Sequence, residues 1–310
     1  MDSVCVLLST YNGETYIEEQ LDSLLRQKDV DLRIVIRDDA SKDNTIKIIE
    51  DYIKNNTSGA GITLLESDGN LGPAKAFLEL LKKAPSADYY AFCDQDDVWL
   101  EDKIEKTRRH MERLEEDGGK DRPALVFSDL AVVDEDLCVI AKSMNEYQKL
   151  DPERTGFGDL LIQSVVSGCT MMMNRACVEK AMQGFNPDNI IMHDWWCSLV
   201  AARFGRISYL DEAPILYRQH GGNSIGAKAI ADPRYIMRRI ACGKEIKRTL
   251  ELTRRQALEF AETYGLGPED IASRYSAVGS EGKRSRLRFY RSHNIRKHGF
   301  VRNCGLILFG

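Results

Sequence analysis

The sequence predicts an α/β protein with a mixed, mainly parallel sheet flanked by helices, followed by a helical, basic C-terminal extension. Short apolar, β-rich runs alternate with segments of helical period through the first two thirds of the chain, which implies right-handed βαβ crossovers. Polar clusters follow several of the strand ends, and ligands of such sheets sit beyond the carboxyl ends of the strands. From about Pro233 the pattern turns helical and basic, and only Leu306–Phe309 reads again as a strand.

In order, Val4–Ser9 is the first strand, and a polar turn leads to a helix with Tyr16, Ile17, Leu21, Leu24 and Leu25 on one stripe. Leu32–Ile36 is the second strand and Thr45–Ile53 a helix with Ile46, Ile49 and Ile53 on its apolar side. Ile62–Leu65 is the third strand. Asn70-Leu71-Gly72-Pro73 then turns into a helix over Ala74–Lys83, with proline where its missing N–H costs nothing. Tyr89–Cys93 is the fourth strand, and a helix spans 102–117. Ala124–Phe127 is a strand, 151–158 a loop, and Leu160–Asn174 a helix or loop running into an apolar strand. Arg175–Met182 and His193–Phe204 are helices, with Ile207–Leu210 and Ile215–Arg218 as the last two strands of the pattern.

At 310 residues the chain can bury a sizeable core, and 43% hydrophobic with 29% charged residues excludes collagen-like, low-complexity and wholly disordered chains. No run approaches the roughly 18–20 apolar residues of a bilayer-spanning helix, and Met1-Asp2-Ser3-Val4 lacks a signal-peptide start, so a cytoplasmic location is expected. The eight cysteines form no C-x-x-C pair and read as reduced core thiols. The net charge of −5 hides an asymmetry: residues 1–227 hold 25 Lys+Arg against 40 Asp+Glu, and residues 228–310 hold 18 against 8. We expect two parts with that boundary. An acidic first part argues against nucleic acid as a partner. The basic tail mixes cations with Leu287, Phe289, Tyr290, Ile295 and Phe300. That suits the anionic inner face of a membrane, the competing reading being a solvated helix.

Asp94-Gln95-Asp96-Asp97 is the strongest chemical signal, because hard divalent cations such as Mg²⁺ or Mn²⁺ take carboxylate oxygens together with substrate phosphates; capping of the following helix by Asp96 or Asp97 is the plain alternative. Asp38-Asp39 suits a base N–H and ribose hydroxyls. Neither G-x-G-x-x-G nor G-x-x-x-x-G-K-[ST] occurs, so a metal is expected to meet any phosphate. Asp194 opens a helix beside Trp195 and Trp196, and His220 follows a strand end as a candidate metal ligand. Trp99, Trp195 and Trp196 are equally suited to a sugar or acceptor platform and to the core.

Taken in order, Leu8-Ser9-Thr10-Tyr11-Asn12-Gly13-Glu14, Arg37-Asp38-Asp39-Ala40-Ser41, Asn70-Leu71-Gly72, Phe92-Cys93-Asp94-Gln95-Asp96-Asp97-Val98-Trp99, His193-Asp194-Trp195 and Tyr217-Arg218-Gln219-His220 carry a resemblance over about residues 3–224. The chain resembles the glycosyltransferase family 2 enzymes, inverting nucleotide-sugar transferases of the GT-A fold, and among them rhamnosyltransferase-like builders of bacterial surface polysaccharide. The resemblance implies nucleotide-sugar contacts from Ser9, Thr10, Tyr11, Asn12, Glu14, Asp39, Asn70, Asp94 and Gln95, with Asp39 on the base and Asp94 on the ribose. It implies a divalent metal at Asp96 with His220 close by, and Asp194 as catalytic base. It further implies a nucleotide-diphosphate sugar donor and a glycan acceptor, with a lipid-linked acceptor making peripheral membrane contact useful. Two departures stand out: Ala40 where glycine is usual, and His193 where the family commonly has glutamate. A UDP-hexose donor, a nucleotidyltransferase and a non-catalytic binding subunit are the competing readings.

Overall fold

The computed structural model describes residues 2–28, 30–116, 118–221 and 243–309. Seven strands form the main sheet: β1 Ser3–Thr10, β2 Asp31–Asp38, β3 Gly61–Leu65, β4 Tyr89–Asp94, β6 Ala124–Ser128, β9 Met171–Asn174 and β10 Arg206–Leu210, in the order β10-β6-β9-β4-β1-β2-β3. Neighbours run parallel except around β9, which is antiparallel to both β4 and β6. A second, four-stranded sheet collects β5 Val98–Trp99, β7 Ala131–Val133, β8 Val139–Ala141 and β11 Ile215–Arg218 in the order β5-β11-β7-β8. Of this sheet β11 was expected, whereas β5, β7 and β8 were not, because they are two or three residues long and too short to show a period.

The main sheet is covered on both faces, which is why its strands read as continuous apolar runs. Cys5, Leu7, Phe92, Phe127 and Met173 enter one apolar cluster, while Val4, Val6, Leu8, Cys93, Val126 and Met172 enter the other. Alternate side chains of a strand point to opposite faces, so each strand feeds both clusters. Helix α1 (Ile17–Leu25) buries Ile17, Leu21 and Leu24 at the three-to-four spacing of one stripe. Helices α2 (Thr45–Asn55) and α3 (Pro73–Lys83) follow, α3 beginning on Pro73. Helix α4 (Lys103–Glu116) starts six residues after Asp97, so neither Asp96 nor Asp97 caps it; both precede the short strand β5 instead.

After the short helices Met144–Gln148 and Phe157–Leu160 come Arg175–Ala181 and the largely buried helix His193–Phe204. The C-terminal region contributes helices Gly243–Thr263, Ile271–Ala277, Lys283–Ser292 and Phe300–Phe309. Leu306–Phe309, expected as a strand, is the last part of that final helix: an apolar run of four residues carries no period to tell the two apart. Leu250, Phe260, Tyr275, Tyr290 and Leu306 from these helices join the same apolar cluster as Leu7 and Phe92. The expected boundary at 227/228 and the start of the basic region near Pro233 lie outside the described residues. No described helix is long and apolar enough to cross a membrane. Of the described cysteines five are buried, as expected of core thiols, whereas Cys138 is exposed and Cys304 half-buried, and all are unpaired.

Candidate active site

Three of the polar clusters meet because β2, β1 and β4 are adjacent and parallel, with Thr10 opposite Asp38 and Ser9 opposite Asp94 in the ladders. Two walls of one cleft result. On the β2 side, Thr10 Oγ1 donates to Asp38 at 2.8 Å, and the Ser41 N–H and hydroxyl donate to the same carboxylate at 2.8 and 2.5 Å. The Asp39 carboxylate accepts the N–H groups of Leu71 (2.7 Å) and Gly72 (2.8 Å) and a close contact from Arg37, while Asn70 Nδ2 donates to the Asp39 carbonyl at 2.9 Å. Asp39 thereby ties the end of β2 to the turn that opens α3. Between the two aspartates and Ser41, Ala40 adopts φ +67°, in the left-handed region, which gives a physical reason for glycine being usual there.

The loop after β1 is held at both ends. Asn12 N–H donates to Ser41 Oγ and its side-chain oxygen accepts Lys42 N–H, each at 2.8 Å. Glu14 Oε2 accepts Asn44 N–H at 2.9 Å and Asn44 Nδ2 at 2.8 Å. Across the cleft, Gln95 clasps the backbone of Tyr11 in both directions: Tyr11 N–H donates to Gln95 Oε1 at 2.8 Å, and Gln95 Nε2 donates to the Tyr11 carbonyl at 3.0 Å. The Tyr11 ring stays exposed at the mouth.

On the β4 side the carboxylates face one another. The Asp94 carboxylate has no hydrogen-bond donor among the described residues, and burial, then Asp96, then Asp194 push it up to about 7. Asp96 meets His220 Nε2 at 2.8 Å, and the His220 ring lies against Tyr16. Asp97 is wholly buried; Arg218 N–H donates to its Oδ1 at 3.3 Å, and its Oδ2 has no donor among the described residues. Burial pushes Asp97 well up, with Asp94 and Asp96 adding to it. Oxygens of Asp94 and Asp97 and the Cys169 sulfur lie within 4.8 Å of one another. Converging carboxyls driven toward protonation by burial first and by their mutual repulsion second fit a divalent cation, which would relieve both with its charge.

The Asp194 carboxylate completes this wall at the first turn of His193–Phe204, where Trp195 N–H donates to it at 2.6 Å. Burial raises its pKa to about 6, with hydrogen bonds from the Trp195 and Gly168 backbones opposing the rise. Gly168 packs tightly here: a Cβ there would lie 3.1 Å from His193 Nε2 and 3.4 Å from Asp194 Oδ2, so the His193 ring would have to shift by a few tenths of an ångström. His193 is stacked on Phe77 at 4.2 Å and edge-on to Phe92 at 4.5 Å, and burial pushes its pKa down to about 3, so it is a neutral ring in the core.

Two aromatic expectations need correction. Trp196 is fully buried among Phe185, Phe260 and Tyr264, its indole N–H on the Ala181 carbonyl, and Trp99 is buried beneath the Lys103 ammonium, 3.5 Å from its ring centroid. Neither presents a face to a sugar. Trp195 is half-buried, with its indole N–H on the Leu160 carbonyl at 2.6 Å. Sequence reasoning also gave no role to Arg218, Gly168 or Lys103. Arg218 binds the Asp96 carbonyl at 3.0 Å and pairs with Glu19 beneath the site. The Lys103 ammonium is buried without a hydrogen-bond partner among the described residues, and burial lowers its pKa to about 8 against the raising effect of Cys93, Cys169 and Asp97. A lysine at a helix start carries no sequence signal of burial.

Residues 5–180 match the family model described as Glycosyl transferase family 2. The chain is 33% identical over 239 residues to the dTDP-rhamnosyl transferase RfbG of Shigella flexneri, covering 74% of this chain and 76% of that protein. It is 29% identical over 172 residues to the putative teichuronic acid biosynthesis glycosyltransferase TuaG of Bacillus subtilis, covering 56% and 62% of the two. Among solved structures, S. aureus TarS 1–349 in complex with UDP-GlcNAc superposes with a TM-score of 0.57 at 17% identity over 98% of this chain and 90% of that one. The mannosyltransferase PcManGT from Pyrobaculum calidifontis, in complex with GDP-Man and Mn²⁺, gives 0.53 at 16% identity over 94% and 80%. At those identities the two structures speak for the fold.

Proposed function

The chain belongs to glycosyl transferase family 2, and from that premise we propose that it moves a sugar, rhamnose in the first instance, from a nucleotide-diphosphate donor to a hydroxyl of a growing cell-surface glycan, with inversion at the anomeric carbon. The observation that carries the reading is the meeting of Asp94, Asp96 and Asp194 at the carboxyl end of β4 beside His220, with Asp94 and Asp194 both pushed upward. The similarity to a dTDP-rhamnosyl transferase supports rhamnose as the first donor to test.

In this reading the loop Ser9-Thr10-Tyr11-Asn12, with Glu14, Asp39 and Asn70, shapes the nucleoside end of the cleft, and Asp94 and Gln95 lie toward the ribose. Asp96 and His220 would hold a divalent ion whose charge offsets that developing on the diphosphate leaving group. Asp194 takes the proton of the acceptor hydroxyl as it attacks the face of the sugar opposite the leaving group. Burial suits it to this task, since a carboxyl with a pKa of about 6 is a stronger base than an exposed one and still ionised at neutral pH. A single displacement needs no covalent intermediate, so none of the core thiols is required. We assign transfer to residues 1–227, and to the basic extension 228–310 contact with the inner face of the cell membrane, where a lipid-linked acceptor would be met.

The test is a thermal-shift panel of UDP, dTDP, GDP and their sugars, each with and without Mn²⁺ or Mg²⁺, because a ligand that binds only the native state raises its stability by mass action. A metal-dependent shift with dTDP and dTDP-rhamnose is the expected result. A preference for UDP would replace the donor with a UDP-hexose, and no shift with any nucleotide would favour a non-catalytic subunit.

A further inference from the structure

We infer that the face of helix Phe300–Phe309 bearing Phe300, Cys304, Ile307 and Leu308 is a docking surface for an anionic lipid bilayer. The inference rests on the membrane contact proposed above and names the surface that makes it. At about 100° per residue these four positions fall within an arc of about 100°. Phe300 is 85% exposed, Ile307 52% and Leu308 55%, an unusual concentration of large apolar surface on a ten-residue helix. The opposite side is anchored: Leu306 is buried in the core, and the Phe309 ring packs where Gly243 leaves no room for a side chain.

Charge selects the occupant. Residues 282–310 contain eight Lys and Arg and no Asp or Glu, and Lys283, Arg284, Arg288, Arg291 and Arg296 are exposed. Two of these cations are placed at the ends of the apolar helix, and the others add positive charge on the preceding helix. Lys283 Nζ reaches the Leu308 carbonyl at 3.5 Å at one end. At the other a cleft of about 310 Å³ is lined by Lys149, Arg154, Arg296 and Lys297 with Gly299 and Asn303 of the helix start, and Asp151 is its one acid. Arg154 is fixed there by Asp159 and by the Arg296 carbonyl at 2.7 Å. A second copy of this face would bring the same cations against it and repel, whereas phosphate headgroups neutralise them while acyl chains receive Phe300, Ile307 and Leu308. Ten residues span about 15 Å, half a bilayer core, so the helix lies in the interface rather than across it.

The experiment is flotation of the full chain with phosphatidylcholine vesicles and with vesicles containing about one third phosphatidylglycerol, at low and high salt. Binding to the anionic vesicles alone, weakened by salt, is expected. Ile307→Ser/Leu308→Ser should lower the partition coefficient at least about tenfold, and Arg284→Gln/Arg288→Gln/Arg296→Gln on the order of 100-fold, at about fivefold per cation. Equal binding to neutral vesicles, or unchanged binding by both variants, would overturn the inference. So would a concentration-dependent dimer without lipid that Ile307→Ser/Leu308→Ser abolishes, since a second copy would then cover the face. Nucleotide thermal shifts on the same variants keep the two ideas apart: a shift retained with docking lost leaves the donor site standing, and docking retained with no shift in any variant sinks the transferase reading alone.

Discussion

Two acidic strand ends flank the end of β1 in this protein and are built in opposite ways. At the end of β2 the carboxylates of Asp38 and Asp39 are surrounded by donors from Thr10, Ser41, Arg37, Leu71 and Gly72. At the end of β4 the Asp94 carboxylate has no donor among the described residues, Asp97 has the Arg218 N–H, the Cys169 thiol and an Oδ2 without a partner among them, and both are pushed toward protonation. An aspartate whose oxygens are filled by its own chain contributes to architecture, because removing it strands buried donors. An aspartate left facing others costs stability, and such sites hold a charge in readiness for a ligand. Equal acidity in the sequence thus conceals unequal roles.

Asp194→Asn should lower the rate of transfer by about a thousandfold, the scale of a lost general base, with donor binding intact in titrations of the nucleotide-sugar; parallel loss of donor binding would move Asp194 out of that role. Asp96→Ala should weaken metal-dependent donor binding on the order of 100-fold while leaving the melting temperature nearly unchanged, because removing a like charge from the β4 cluster offsets the lost contact with His220. Asp39→Asn should do the reverse, costing roughly 1–3 kcal/mol of stability by setting an amide donor against the Leu71 or Gly72 N–H. If calorimetry finds Asp96→Ala the more destabilising of the two, the contrast between the strand ends is wrong.

Smaller effects sharpen the picture. A base must be ionised to act, and Asp194 loses its charge as pH falls through about 6, so kcat/KM should drop about tenfold per unit below that value and level off above it. Asp194→Asn should abolish that limb in its residual rate. Ala40→Gly should stabilise the protein by about 0.5 kcal/mol, read as a small rise in Tm, since relief of the left-handed strain at φ +67° is partly offset by the freedom glycine gains in the unfolded chain.

The sheet and the cleft were legible because long parallel strands are long apolar runs, and because Thr10, Asp38 and Asp94 end three of them. Topology then brings residues far apart in sequence to one place. The second sheet was illegible in β5, β7 and β8 for want of length, and the last helix was mistaken because Leu306–Phe309 is apolar on every side. Trp99 and Trp196 illustrate a different limit. Indole serves core and sugar platform equally well, and only the packing against Lys103, or against Phe185 and Phe260, distinguishes them. The unequal roles of the acidic pairs were hidden for the same reason, since a carboxylate's donors are settled by loops such as 70–72 that arrive from elsewhere.

The clasp between Gln95 and Tyr11 carries a consequence for how such chains diverge. A Cβ built on Gly13 would overlap Gln95 Oε1, so a side chain at 13 and the amide in its present position exclude each other. Because the obstruction is the tip of a flexible side chain, substitution at 13 would evict Gln95 and free the Tyr11 backbone while leaving the strands intact. Positions 13 and 95 should therefore covary among relatives: chains with a larger residue at the first should have abandoned glutamine at the second and found another way to join the two walls of the cleft.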